Sequence, residues 1–118
     1  MKQNNREIGG KYEKQAGAFL EQQGFQILEY NFHCRFGEID IIAGKGRQLI
    51  FCEVKYRRND GKGTPLEAVD TRKQRTISKC AMYYITVRGF LHMDIRFDVI
   101  GILGDEITWI PNAFDYQS

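Results

Sequence analysis

The chain has 118 residues, enough for one domain with a modest core, and its 42% hydrophobic and 27% charged residues are ordinary for a globular protein. No apolar run approaches bilayer-spanning length, and the opening MKQNNREIGG lacks the apolar stretch of a secretory signal, so a cytoplasmic protein with no membrane partner is expected. The net charge of +2 says little, but residues 45–79 hold ten Lys/Arg against four Asp/Glu while the rest of the chain is net acidic, which favours a polyanionic partner such as nucleic acid.

In chain order, Ile8, Tyr12, Ala16, Phe19 and Leu20 recur at helical spacing and predict a helix from about Asn5 to Gln23, with Gly24 as its C-terminal cap. Glu13 lies beside that apolar stripe, in line with Gly9, Gly10, Ala16 and Gly17. It either points inward between small neighbours or stands in water at the boundary, and helical geometry leaves both open. Phe25–Phe32 reads as the first strand, and His33–Gly37 as a polar loop in which a lone His33 is more often neither a metal nor a phosphate ligand. Cys34, Cys52 and Cys80 form no C-x-x-C pair and are expected to be reduced, core-filling thiols.

The segment Gly37–Arg57, GEIDIIAGKGRQLIFCEVKYR, predicts two strands around a tight turn between Gly46 and Arg47. In the second strand alternation puts Leu49, Phe51, Glu53 and Lys55 on one face and Ile50, Cys52, Val54 and Tyr56 on the other. Both faces are largely apolar, so the strand is expected to be central and covered on both sides. In the first strand Glu38, Asp40 and Ile42 are expected on one face, and Ile39, Ile41 and Ala43 on the other. Setting Asp40 opposite Glu53 pairs Ile42 with Phe51 and Glu38 with Lys55. Three carboxylates then surround one lysine. Ionised groups on a covered strand are costly unless paired or metal-bound, and crowded carboxylates repel. A hard divalent cation, Mg²⁺ or Mn²⁺, is the expected remedy.

Tyr56, Arg57, Arg58 and Lys62 fall in a basic, Gly-rich loop able to contact phosphates, with Tyr56 a candidate stacking surface. Thr64-Pro65-Leu66-Glu67 reads as a capping box opening a helix that runs to about Val87. Lys73 interrupts its apolar line and would point at the site or a phosphate, or snorkel. Arg72, Gln74, Arg75 and Lys79 make the remaining surface basic. Arg88-Gly89 ends the helix. Met93–Leu103 is a strand with Met93, Ile95, Phe97 and Val99 facing the core, and with Arg96 and Asp98 on the other face, pairing or bordering the site. Gly104-Asp105 turns into a short final strand, Glu106–Ile110. The aromatic tail PNAFDYQS has no periodicity; Phe114 and Tyr116 would dock on the domain or a partner.

The expected fold class is therefore α/β: a mixed central sheet of three antiparallel strands, then helix, strand, strand, flanked by helices. This order, with Asp40 and Glu53-Val54-Lys55 in strands two and three, resembles the PD-(D/E)XK nuclease superfamily and its restriction-endonuclease-like core. More closely it resembles the YraN-type bacterial family, which is similar to archaeal Holliday junction resolvases. The motifs are GGKYEKQA around Glu13, GEIDIIA around Asp40, FCEVKYR around Glu53 and Lys55, TPLEAV, KQR at Lys73–Arg75, and RFDVI around Asp98. Ile39 stands where the superfamily name has Pro. The resemblance implies a Mg²⁺- or Mn²⁺-dependent endonuclease acting on DNA, with RNA not excluded, on junctions or branches, and able to form a homodimer. Asp40, Glu53 and Glu13 would hold the metal with the Val54 carbonyl, Lys55 would complete the catalytic set, and Arg57, Arg58, Lys62, Arg72, Lys73 and Arg75 would grip the nucleic acid. The competing expectations are a non-catalytic nucleic-acid-binding module of the same fold and an interaction protein using the aromatic tail and the basic helix.

Overall fold

The computed structural model describes residues 5–58 and 64–118, with side chains from residue 10 onward; Lys62 and the Ile8 side chain lie outside the described residues. Helix α1 (Asn5–Gln22) leads into strands β1 (Gln26–Cys34), β2 (Gly37–Lys45) and β3 (Gln48–Arg57). Helix α2 (Thr71–Arg88) then crosses to β4 (Asp94–Leu103), and β5 (Glu106–Phe114) follows. The strands form one sheet in chain order, antiparallel except for the parallel β3–β4 pair that α2 connects. This is the mixed sheet that the sequence pattern predicts.

The helices cover opposite faces. Ala16 and Leu20 of α1 pack on Ile41, Ala43, Ile50, Cys52, Ile100 and Ile102. Ile77, Cys80, Ala81, Tyr84 and Ile85 of α2 pack on Ile42, Leu49, Phe51, Phe97 and Val99. β3 is thus sandwiched as its doubly apolar sequence requires. α1 ends in a Schellman turn: Phe25 N–H donates to the Leu20 carbonyl and Gly24 N–H to that of Glu21, with Gly24 at φ +96°. The small-residue line beside Glu13 also acts as its sequence suggests. A side chain at Gly17 would collide with the Tyr30 ring, so glycine there lets α1 lie close on β1.

Several elements differ from the sequence expectation. Thr64 does accept from Glu67 N–H, at 3.3 Å, but it caps only a 3₁₀ turn at Leu66–Ala68. Val69 (φ −112°, ψ 83°) leaves helical geometry, and α2 starts after Asp70, whose carboxylate accepts Lys73 N–H at 2.9 Å. Asp before a helical run is as strong a start signal as Thr-Pro, and here it prevails. Ile95 is exposed rather than core, at the start of β4.

The final strand does not stop at Ile110 but continues to Phe114. Pro111 and Asn112 (φ +51°) hide that continuation in the sequence. A register irregularity between Phe97 and Val99 accommodates it, and Asp98 spans the gap by accepting Asn112 N–H at 3.0 Å. Asp98 is fully buried and saturated. It also accepts Trp109 Nε1–H at 3.0 Å and two parallel bonds from Arg96 at 2.8 Å. It is thus the pairing half of the sequence expectation, a structural anchor. Phe114 is buried and stacked on Phe97, with ring centroids 5.0 Å apart.

Removing one partner of a buried, saturated ion pair costs about 3–5 kcal/mol. Asp98→Ala is therefore expected to lower unfolding free energy by about that much in urea denaturation, through loss of the β4–β5 junction.

Candidate metal centre at the β2–β3 fork

The predicted register holds: Ile41 pairs with Cys52, Ile42 with Phe51 and Lys45 with Gln48, leaving Gly46-Arg47 as the two-residue turn. The ladder then stops at Ile41–Cys52. Beyond that point β2 stays on β1 as far as Gly37, while β3 stays on β4 as far as Arg57. Two central strands part, and Asp40 and Glu53 are the first residues past the fork. Asp40 spans it, with Oδ2 accepting the Val54 N–H at 2.8 Å in place of a backbone carbonyl.

The alternation expected for β2 fails at this level. Ile41 packs on the α1 side, but Ile39 packs on the α2 side. β1 makes the same switch between Tyr30 and Phe32, around Asn31 at φ +53°. Asn tolerates the left-handed region, so both strands roll over together. Ile39 therefore does not share a face with Ile41 and Ala43, and Asp40, at the roll, is aimed across the fork. The expected Glu38–Lys55 pair is lost with the ladder. Glu38 instead faces His33 on β1, Oε2 to Nδ1 at 3.8 Å.

Glu13 does point inward. One carboxylate oxygen from each of Glu13, Glu38 and Asp40 lies within 4.8 Å of the others. Glu53 reaches Asp40 from the α2 side. It is only 4% exposed, and its Oε1 faces Lys55 Nζ at 3.5 Å and Lys73 Nζ at 3.9 Å. Lys73 thus leaves the apolar line of α2 to reach the carboxylates. Glu53 Oε2 is buried without a hydrogen-bond donor among the described residues.

The electrostatics follow from that crowding. Burial, then the Asp40 charge, raises Glu53 to about 8, against the opposing pull of Lys73 and Lys55. Burial and Asp40 likewise raise Glu13 to about 7, with a hydrogen bond from Asn31 working the other way. Near neutral pH the cluster is an incompletely ionised set of oxygen donors, and oxygen-rich sets suit hard divalent cations. Glu38 is the member that sequence reasoning left out of the metal set. Its proximity to Glu13 depends on the roll at Asn31, for which the hydrophobic pattern carries no signal.

Of the expected nucleic-acid contacts, Arg57 and Arg58 are exposed where β3 leaves the sheet, and Arg72 and Arg75 are exposed at the start of α2. Tyr56 is engaged rather than free: it stacks on Tyr12 of α1 with centroids 3.6 Å apart. The three cysteines are free thiols. Cys34 and Cys80, 46 residues apart, meet with sulfurs at 3.2 Å, a contact their sequence spacing hides.

Residues 12–102, which include every residue of this cluster, match the family described as "Uncharacterised protein family UPF0102". The chain belongs to the UPF0102 family. It is 48% identical over 109 residues to a UPF0102 protein of Fusobacterium nucleatum, covering 92% of each chain. It is 46% identical over 113 residues to one of Lachnoclostridium phytofermentans, covering 95% and 96%. A UPF0102 protein of Geobacter sulfurreducens is 44% identical over 117 residues, covering 95% and 91%. None of the described helices of this UPF0102 chain is long and apolar enough to cross a membrane.

The raised carboxylates fix a sign for pH dependence. The folded state holds protons that the unfolded chain has released above its ordinary value of 4.5, so stability falls as pH rises through about 7 and about 8. In EDTA, Tm is expected to fall between pH 5 and pH 9. Glu53→Gln should flatten that slope, and millimolar Mn²⁺ should raise Tm most at the alkaline end. An unchanged slope in the variant, measured by thermal melts across pH, would remove Glu53 as its source.

Proposed function

We propose that this protein is a metal-dependent phosphodiesterase, an endonuclease of the PD-(D/E)XK type acting on DNA. The observation that carries the reading is the donorless, buried Oε2 of Glu53 beside Asp40, with Lys55 two residues further along the same strand face. A structural ion pair would satisfy both oxygens, as Arg96 and its neighbours do for Asp98. Glu53 is satisfied on one oxygen only and turned towards a second carboxylate.

Asp40, Glu53 and Glu13 would hold the cation, with Glu38 near enough to Glu13 and Asp40 to join them. Mg²⁺ or Mn²⁺ bound there would neutralise a phosphate oxygen and acidify a water. The residues themselves have separable tasks. Asp40 fixes the fork by accepting the Val54 N–H, which ties β2 to β3 beside Glu53. Lys55, about one-third exposed beside Glu53, reaches solvent where a phosphate would lie and would stabilise charge developing on it. Lys73, reaching Glu53 Oε1 from α2, pulls against the upward shift that burial and Asp40 impose on Glu53. Arg72, Arg75, Arg57 and Arg58 would contact the backbone of the polyanion. Cations spread over β3 and α2 would suit recognition by backbone and shape. The free thiols fit a reducing, cytoplasmic setting.

The test is cleavage of labelled duplex, single-stranded and four-way-junction DNA with Mg²⁺ or Mn²⁺. Glu53→Ala is expected to abolish it, and Lys55→Ala to slow turnover by about 100-fold or more while DNA affinity stays within a few-fold. Binding without cleavage under any divalent ion would replace the proposal with a non-catalytic nucleic-acid-binding module.

Asp40 separates fold from chemistry. Asp40→Ala leaves the Val54 N–H without its acceptor and should cost about 1–3 kcal/mol. Asp40→Asn, which keeps an acceptor oxygen, should restore most of that stability but not cleavage. Cleavage by the Asn variant at the parental rate would exclude Asp40 as a ligand.

A further inference from the structure

The outer face of α2 carries a second feature that the carboxylate cluster does not use. A groove of about 390 Å³ lies between α2, the β1–β2 turn and the C-terminal tail. Its walls are Phe36, Met82, Tyr83 and Tyr116, each 38–43% exposed, and Arg35 and Lys79 stand on its rim.

These walls are held in place. The Arg35 guanidinium lies over the Phe36 ring at 4.9 Å. The Tyr83 ring contacts that of Phe32, with centroids 6.2 Å apart. The tail bearing Tyr116 is tied down by Gln117 N–H donating to the buried Ser78 Oγ at 3.0 Å.

We infer that this groove takes unpaired nucleotides of a single strand, with bases stacked on Tyr83, Tyr116 and Phe36 and phosphates against Arg35 and Lys79. The inference rests on the nuclease reading and deepens it, naming a substrate with a single-stranded segment beside the cleaved bond.

Three observations select this occupant over an apolar peptide or a second copy of the chain. First, the charge is complementary to a polyanion. α2 carries Arg72, Lys73, Arg75, Lys79 and Arg88 and no acidic residue. Neither Arg35 nor Lys79 pairs with a carboxylate among the described residues. Second, the wall is mostly aromatic, and flat rings flanked by cations are the sequence-tolerant platform that single strands use. Third, the groove is close to the chemistry. Phe36 is two residues from Glu38, and Lys79 lies six residues along α2 from Lys73, ~9 Å of helix rise. A strand leaving the carboxylate cluster along α2 would meet Arg75, then Lys79, then the rings.

The test is fluorescence anisotropy in EDTA, where no cleavage can occur, using a labelled oligo-dT strand and a blunt duplex of equal length. The Tyr83→Ala/Tyr116→Ala double variant is expected to bind oligo-dT at least about fivefold more weakly, the lower end for loss of one base stack, and to bind duplex as the parent does. Tyr83→Phe, which keeps the ring, should retain strand affinity. Lys79→Glu should weaken strand binding and flatten its salt dependence. Circular dichroism melts would confirm that the variants fold.

Unchanged strand binding in the double variant, with duplex binding and cleavage intact, would overturn the groove inference and leave the nuclease reading standing. A dimer seen by sedimentation and lost in the double variant, with strand affinity unaltered, would assign the groove to a second copy and likewise overturn it. No binding of either probe by the parent would sink both readings.

Discussion

The structure depends on how one sheet accommodates a parting of its two central strands. β2 and β3 pair tightly from the turn to Ile41–Cys52 and then follow different neighbours. Parting strands leave backbone groups without a ladder, and a buried N–H without an acceptor is costly. Asp40 resolves this by substituting its carboxylate for the missing carbonyl opposite Val54. That solution places a carboxylate at the mouth of the fork. Glu53 is buried beside it, and Glu13 and Glu38 close in from α1 and β2. Four carboxylates meet two lysines, Lys55 and Lys73, and both lysines address the same oxygen of Glu53. Burial, and after it the Asp40 charge, raises Glu13 and Glu53, and a divalent cation held there would relieve the crowding.

The two aspartates of the central strands show how the same side chain is put to different use. Asp98 is buried on the α1 side among Arg96, Trp109 and the Asn112 backbone, with both oxygens occupied by donors. Nothing is left for a ligand, and its task is to hold β5 on β4 across an irregular register. Asp40 accepts one donor and otherwise faces carboxylates. Sequence pattern treats the two alike, since both sit in apolar strands beside charged neighbours. The difference is donor count, which is set by what crosses from adjacent strands.

That contrast marks the boundary of what the sequence made legible. The central hairpin, its turn, the sandwiching of β3 and the meeting of Asp40 with Glu53 follow from two-residue alternation and from one register that pairs apolar with apolar. The inward aim of Glu13 was open until the packing of α1 was known, since Gly17 permits the close approach but does not require it. Other features were hidden because they rest on single backbone angles. Asn31 at φ +53° rolls β1 and β2 together, carrying Ile39 to the α2 side and Glu38 away from Lys55. Asn112 at φ +51° lets β5 continue past Pro111, where the pattern looks aperiodic. The start of α2 was misplaced for a different reason. Two sound capping signals, Thr64 and Asp70, compete within seven residues, and hydrophobic spacing runs through both.

α2 gives the molecule a direction. Its buried side is apolar, its first two turns send Lys73 inwards to Glu53 and Arg72 and Arg75 outwards, and its later turns carry Lys79 and then the exposed Met82 and Tyr83. A helix without a single acidic residue has no intrahelical ion pairs to quench these charges, so the outer face from Arg72 to Lys79 is positive. A parallel crossover from β3 to β4 needs a connection of about a dozen residues or more, most often a helix over the sheet face. On the groove inference, the same helix would guide a strand from the carboxylate fork towards the aromatic groove. Phosphates following it would meet Arg72, Arg75 and Lys79 in turn. A flexible strand can follow such a track more closely than a stiff duplex, because it can turn its bases onto the rings without breaking pairs.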